Sequence, residues 1–282
     1  MAHSFGDDLR LAHVLADSAD SISMDLFLSA DLSFSEKPDR TLVTQADHGI
    51  EEAIRKMLRT ARTRDKVLGE EEGEQIGSVE DADRRWIIDP IDGTNNFIRG
   101  VPVWATLIAL EFEGEIVMGC VSAPALQRRW WATKDGGAFT GKSLMHTRKI
   151  EVSRTAELFD ASLSYSSLGG WEEIGKLDNF LELTKTVWRT RAYGDFWSYM
   201  LLAEGAVDIA TEPELSVWDM AALDIIVREA GGEFTSLAGA PGPWGNNALA
   251  TNGRLHDAAM AYVGYFPDPN SPNSNVTELR PL

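Results

Sequence analysis

The sequence predicts a mixed α+β or α/β protein, and three observations carry that reading. Apolar residues recur at helical spacing over 7–29, 46–61 and 218–230. The stretches 103–112 and 115–122 are rich in β-branched and aromatic residues and meet at Glu113-Gly114, as the strands of a hairpin do. Beyond residue 160, short strand-like and helix-like segments alternate with no internal repeat. A chain of 282 residues holds one or two domains. We expect a soft boundary between an N-terminal α+β half, 1–155, and a C-terminal α/β half, 156–266.

Each element has a local reason. Leu11, Leu15, Ile22 and Leu26 line one face of the first helix. SFSEKPDRTLV then reads as an extended crossing broken by Pro38. In the second helix, 46–61, Ile50, Ile54, Met57 and Ala61 share a face, and Thr44-x-x-Asp47 resembles a capping box. Trp86-Ile87-Ile88 is a short apolar strand that ends in a turn, Asp89-Pro90-Ile91-Asp92-Gly93-Thr94. Trp130 to Thr133 adds a strand before Asp135-Gly136-Gly137, with the two tryptophans on alternate faces. The second half reads as strand 161–166, helix 172–185, strand 187–191, helix 195–204 and strand 207–211. Helix 218–230 follows, closed by Gly231-Gly232, then strands near 233–237 and 248–251 and a helix at 256–264. The tail 267–282 holds Pro, Asn and Ser without apolar periodicity, and is expected to be flexible.

Composition excludes several classes. At 44% hydrophobic and 25% charged residues, the chain is globular rather than disordered. Its 26 Lys and Arg stand against 44 Asp and Glu, a formal net charge of −18. That balance argues against nucleic acid or an anionic membrane as a bulk-charge partner. The single cysteine, Cys120, rules out an internal disulfide and a thiolate zinc site, and reads as a small core residue. No apolar run reaches the ~18 residues of a membrane span, and no signal peptide is visible at the start. The expectation is a cytoplasmic protein. The five histidines show no ligand spacing, and Arg128-Arg129 reads as a surface pair.

The chemistry lies in carboxylates at element ends. They form three clusters: Gly69-Glu70-Glu71, Asp89 to Thr94, and Trp218-Asp219. Asp89 and Asp92 can face one point across their turn, an arrangement that a cation relieves. Hard oxygen donors without cysteine or clustered histidine select Mg²⁺, Mn²⁺ or Ca²⁺. Gly93 permits a tight turn whose N–H groups form an anion nest, with the Thr94 hydroxyl beside it. Metal ions next to an anion nest suit phosphate chemistry. Each cluster alone also has a plainer reading: a turn, a solvated charge run, a helix N-cap.

Together these segments resemble a known family. KPDRTLVTQAD at 37–47, GEE at 69–71, DPIDGTNNF at 89–97 and WDMAALDIIVREAGG at 218–232 are similar to the signature motifs of the inositol monophosphatase family, in its order. The resemblance spans roughly 8–264. It implies a layered αβαβα sandwich of the inositol monophosphatase/fructose-1,6-bisphosphatase type. It implies a Mg²⁺-dependent phosphomonoesterase, with Mn²⁺ as a substitute, assembled as a homodimer. By position, Glu70, Asp89, Asp92, Asp219 and the Ile91 carbonyl would hold metal. Gly93 and Thr94 would bind phosphate. Thr94, oriented by Asp47, would position the attacking water, with Glu71 near the site.

The substrate end lies in the second half. In the family pattern a substrate-facing carboxylate precedes Trp218-Asp219, and Glu212 falls there. The turn at Gly194 also faces the substrate in that pattern; Asp195 follows it, where inositol-type members place a small residue, and Arg191 is expected as the substrate-side cation. Two carboxylates suit a cationic leaving group, since charge-assisted hydrogen bonds are worth ~1.5–3 kcal/mol. GVPVWATLIAL, SAPALQRRWWA and RAYGDFWSY also resemble the bacterial histidinol-phosphatase branch of the family. The expected substrate is therefore L-histidinol phosphate. A broad inositol or sugar phosphatase is the alternative, and a catalytically silent binding protein a remoter one. The plain alternatives for Asp195 and Glu212 are a helix N-cap and a strand-end surface residue.

Overall fold

The first long element is α1 (Gly6–Leu26), a helix whose Ala12, Leu15, Ala16 and Ala19 are buried. The computed structural model describes residues 5–30, 32–37, 42–79 and 82–265. The tail 267–282, His3 and the Pro38 break lie outside the described residues. A two-stranded ribbon, β1 (Phe34–Glu36) and β2 (Leu42–Thr44), leads into α2 (Gln45–Ala61). The capping box predicted for α2 forms: Thr44 Oγ1 accepts from Ala46 N at 3.0 Å, and Asp47 Oδ2 accepts from Thr44 N at 2.8 Å. Then follow β3 (Lys66–Gly69), β4 (Gly73–Gln75), β5 (Arg84–Asp92) and a short helix α3 (Thr94–Ile98). Next come β6 (Ala105–Phe112), β7 (Glu115–Ala123), β8 (Arg128–Thr133), β9 (Gly137–Ser143) and β10 (His146–Ile150). These make an eight-stranded sheet ordered β10-β9-β8-β7-β6-β5-β3-β4, in which only β3 and β5 run parallel.

The remaining chain builds a second sheet. Its elements are β11 (Ser162–Ser164), α4 (Gly169–Glu173), α5 (Leu177–Thr186), β12 (Arg189–Arg191), α6 (Asp195–Ala203) and β13 (Ile209–Glu212), followed by α7 (Val217–Glu229), β14 (Glu233–Thr235), β15 (Ala248–Thr251) and α8 (His256–Val263). The five strands are ordered β12-β11-β13-β15-β14.

Side-chain alternation shows how the layers stack. Along β5 to β8, Trp86, Ile88, Ile108, Leu110, Cys120 and Trp131 pack with α1 and α2, while Ile87, Leu107, Ala109, Val121 and Trp130 pack with α6 and α7. Trp130 and Trp131 therefore face opposite layers, as expected. Helices α6 and α7 also cover Ala210, Phe234, Ala248 and Ala250 of the second sheet. The far face of that sheet, with Leu163, Ile209 and Leu249, packs against Trp171, Phe180, Leu183, Ala259 and Val263. The architecture is α/β/α/β/α. Gly119 on β7 lets α7 come close: a Cβ there would lie 2.7 Å from the Ala222 carbonyl oxygen.

Three local expectations need correction. The predicted helix 172–185 is two helices, broken where Gly175 takes a positive φ of 67°. Asp89 to Asp92 is an irregular strand end rather than a turn, with a register shift against β6. That irregularity matters, because residues i and i+3 of a regular strand point to opposite faces. Arg129 is not a surface residue: it is buried against His13 and Asp20, with Nη2 2.7 Å from Asp20 Oδ2.

Candidate active site

Three of the predicted carboxylates converge. Oxygens of Asp89, Asp92 and Asp219 lie within 4.8 Å of one another. The first two come from the end of β5, and the third from the first turn of α7. Asp219 Oδ2 also accepts the Ser216 N–H at 2.6 Å, so one side chain both holds the helix start and joins the cluster. Asp89 is 1% exposed, and its Oδ1 is buried with no hydrogen-bond partner among the described residues. Asp92 Oδ2 accepts the Phe196 N–H at 2.7 Å, which ties the cluster to α6.

Burial dominates the electrostatics. It holds Asp89 well above the usual carboxylate range, reinforced by Glu70, Asp92 and Asp219. It does the same to Asp92, with Asp195 and Asp219 adding repulsion and the Phe196 N–H opposing. Asp219 is pushed up to about 7, chiefly by burial, with the Ser216 N–H opposing and Glu70 adding to it. Crowded carboxylates with an orphaned buried oxygen are the donor set a hard divalent cation satisfies.

The neighbouring residues complete one side. Glu70 and Glu71 follow β3, and the Lys37 ammonium reaches both, at 2.8 and 2.7 Å. Burial works against that ammonium, but the two hydrogen bonds outweigh it and raise its pKa. Burial also raises Glu71. Asp47, 1% exposed, accepts Thr44 Oγ1 at 2.6 Å and stands 3.5 Å from Thr94 Oγ1. Burial pushes it up to about 6, against the Thr44 hydrogen bonds. Thr94 Oγ1 donates to the Ile91 carbonyl at 2.9 Å. Gly93 precedes α3 at φ 87°, where a Cβ would come within 2.9 Å of the Val103 oxygen. Only glycine fits there.

The second half supplies two more acids. Asp195 begins α6 at φ 49°, immediately after Gly194 at φ 82°. It does not cap the helix; Gly194 holds that position, and Asp195 Oδ2 accepts Asn96 Nδ2 at 2.8 Å. Asn96 donates also to the Val103 carbonyl at 2.9 Å, so α3 fixes the Asp195 carboxylate. Ser166 Oγ accepts the Asp195 N–H at 3.0 Å. Glu212, at the end of β13, is 7% exposed and so is no surface residue; its Oε1 has no hydrogen-bond partner among the described residues. Burial pushes it up to about 8, with the Ser166 hydroxyl opposing and Asp195 adding repulsion. Burial pushes Asp195 up to about 6. Arg191 stays apart: its side chain is exposed and donates to the Thr190 carbonyl. His13 and His256 are buried in other layers, away from these acids.

Sequence reasoning gives no role to Lys37, Asn96 or Ser166. Lys37 had a signal, as the first residue of the 37–47 motif. Asn96 lies in the 89–97 motif, but only the folded chain sets it against Asp195, and Ser166 against Asp195 and Glu212.

A five-layer α/β/α/β/α fold with a largely buried acid cluster, Asp89 at its base, where β5, α6 and α7 meet defines a class, the metal-dependent phosphatases. The model of the inositol monophosphatase family matches residues 11–264, and the chain belongs to that family. Histidinol-phosphatase of Streptomyces coelicolor is 60% identical over 261 residues, 91% of this chain and 97% of that protein. Histidinol-phosphatase of Mycobacterium tuberculosis is 57% identical over 254 residues, 90% of this chain and 96% of that protein. Among solved structures, the extragenic suppressor protein suhB of Bartonella henselae superposes with a TM-score of 0.83 at 30% identity, covering 92% of this chain and 98% of that one.

Proposed function

We propose that the protein is a Mg²⁺-dependent phosphomonoesterase that hydrolyses L-histidinol phosphate to L-histidinol and phosphate. The observation that carries the substrate is the pair of buried Glu212 and half-buried Asp195 beside the acid cluster. Relatives at 60% and 57% identity bear the name histidinol-phosphatase. The amino group and imidazole of histidinol phosphate offer cations to these carboxylates; a neutral polyol would leave one of them uncompensated.

In this reading Glu70, Asp89, Asp92, Asp219 and the Ile91 carbonyl hold the metal ions. When bound, such ions neutralise phosphoryl oxygens and acidify water. The other groups position and exclude. The N–H groups of Gly93 and Thr94 take the phosphate. Thr94 Oγ1 takes a proton from the attacking water as its own hydroxyl proton turns from the Ile91 carbonyl to Asp47 Oδ1, whose raised pKa suits it to hold one near neutrality. Asp195 and Glu212 orient the leaving group in line with that water. Glu71, paired with Lys37, sets the charge beside Glu70.

The same reading includes a homodimer, supported by the family resemblance, and a cytoplasmic location, in keeping with a single buried free cysteine, Cys120. Among the described residues no helix is long and apolar enough to cross a membrane. Hydrolysis of histidinol phosphate in the presence of Mg²⁺, and its loss on chelation, tests the reaction. Activity untouched by chelation would contradict it.

A further inference from the structure

Glu51 lies on α2, outside the acid cluster, yet it is 0% exposed. Its carboxylate is saturated. Oε1 accepts Arg55 Nε at 2.9 Å, Arg55 Nη2 at 2.7 Å and the Glu72 N–H at 3.0 Å; Oε2 accepts the Glu71 N–H at 2.9 Å. Those two N–H groups belong to the three-residue loop, Glu70 to Glu72, between β3 and β4. Arg55, itself 1% exposed, clasps the same hairpin through the Gly73 carbonyl at 2.5 Å and the Val67 carbonyl at 3.4 Å. The approach is so close that a Cβ on Gly69 would lie 2.2 Å from Glu51 Oε1. Glycine at 69 is therefore required by Glu51, and Glu70 is the next residue along.

Stability alone does not account for this pair. A buried ion pair loses so much hydration that well-packed apolar replacements are often neutral or stabilising. What an apolar pair lacks is an acceptor for the loop's N–H groups. We propose that Glu51, locked by Arg55, is a positioning residue that fixes the backbone of the Glu70–Glu71 loop and so sets the metal affinity of the site. The inference rests on the proposal that Glu70 is a metal ligand. Outer partners that orient ligands commonly change metal affinity by about 10–100-fold.

The test is calorimetric titration of Mn²⁺ into metal-free full-length protein, for wild type, Glu51→Gln and the double variant Glu51→Leu/Arg55→Met. The double variant leaves no unpaired charge, so it serves if Glu51→Gln does not fold. Circular dichroism confirms folding at the titration temperature. The expected result is an Mn²⁺ Kd raised about tenfold or more in each folded variant, with the KM for histidinol phosphate at saturating metal within about twofold of wild type. A role confined to stability would lower the melting temperature and leave Kd unchanged; a folded variant with wild-type Kd overturns the inference. Absence of Mn²⁺ binding by wild type would instead overturn the metal reading on which it rests.

Discussion

Asp89 is the residue that the rest of the site is built around. It is buried, it lacks a partner for Oδ1, and it sits among Glu70, Asp92 and Asp219. Removing its charge while keeping its shape isolates its role. Asp89→Asn is expected to lower kcat/KM by more than about 100-fold, beyond the effect of an outer partner, with the fold retained; steady-state kinetics with circular dichroism check this, and near wild-type turnover would remove the metal assignment. Glu212→Gln makes a different prediction. It should raise the KM for histidinol phosphate roughly tenfold, the worth of one charge-assisted hydrogen bond, and alter kcat less. An unchanged KM would count against cation pairing. Asp89 was legible because it falls in a contiguous motif, and Glu212 by its place ahead of Trp218-Asp219. The partners that fix Asp195 were not, because Asn96 is separated from Asp195 by 99 positions and Ser166 from Asp195 by 29. Distance in sequence hides a hydrogen bond that is short in space.

Helix starts do the aiming at the next scale. Asp47 caps α2 through Thr44 and also faces Thr94; Asp219 holds the start of α7 and also joins the acid cluster. Weakening the cap should therefore be felt at the site. Thr44→Ala is expected to cost about 1 kcal/mol of stability, the usual worth of an N-cap, and to lower kcat by about tenfold through a loosened Asp47; Thr44→Ser should restore both. Denaturant unfolding and kinetics on the two variants check it. The capping box and the amphipathic helices were readable in the sequence because their signals are local. Helix 172–185 was misjudged because the left-handed Gly175 interrupts an otherwise periodic run. Strands β3, β4, β9 and β10 were not predicted: the first two are three and four residues long in either order, and β10 is exposed at four of its five positions. Short or polar strands lack the alternation that burial imposes. The i, i+4 spacing of Glu51 and Arg55 suits a surface ion pair as well as a buried one, so only the structure shows that it is buried.

Across the whole molecule, acidity has two meanings. The formal net charge of −18 disfavours nucleic acid as a bulk-charge partner. A small part is buried or half-buried and works against the metal-free fold. Asp47, Asp195, Asp219 and Glu212 carry pKa values of about 6, 6, 7 and 8, all raised. A carboxylate raised in the folded state stabilises it below the unfolded pKa near 4, and that stability is lost as pH rises through the folded value. The metal-free protein should therefore melt at a lower temperature at pH 8 than at pH 6. Added Mg²⁺ should raise the melting temperature more at pH 8, where protons no longer compete for the carboxylates. Thermal scans with chelator and with Mg²⁺ at the two pH values check both signs. The αβαβα arrangement was implied in the sequence by motif resemblance, whereas periodicity alone reached only a mixed α/β class, because layer order depends on long-range pairing. The central claim is the substrate. Its most direct test compares kcat/KM for L-histidinol phosphate and inositol 1-phosphate with saturating Mg²⁺. A clear preference for histidinol phosphate is expected, shrinking in Glu212→Gln; equal or better turnover of inositol 1-phosphate by the wild-type protein would contradict the substrate assignment.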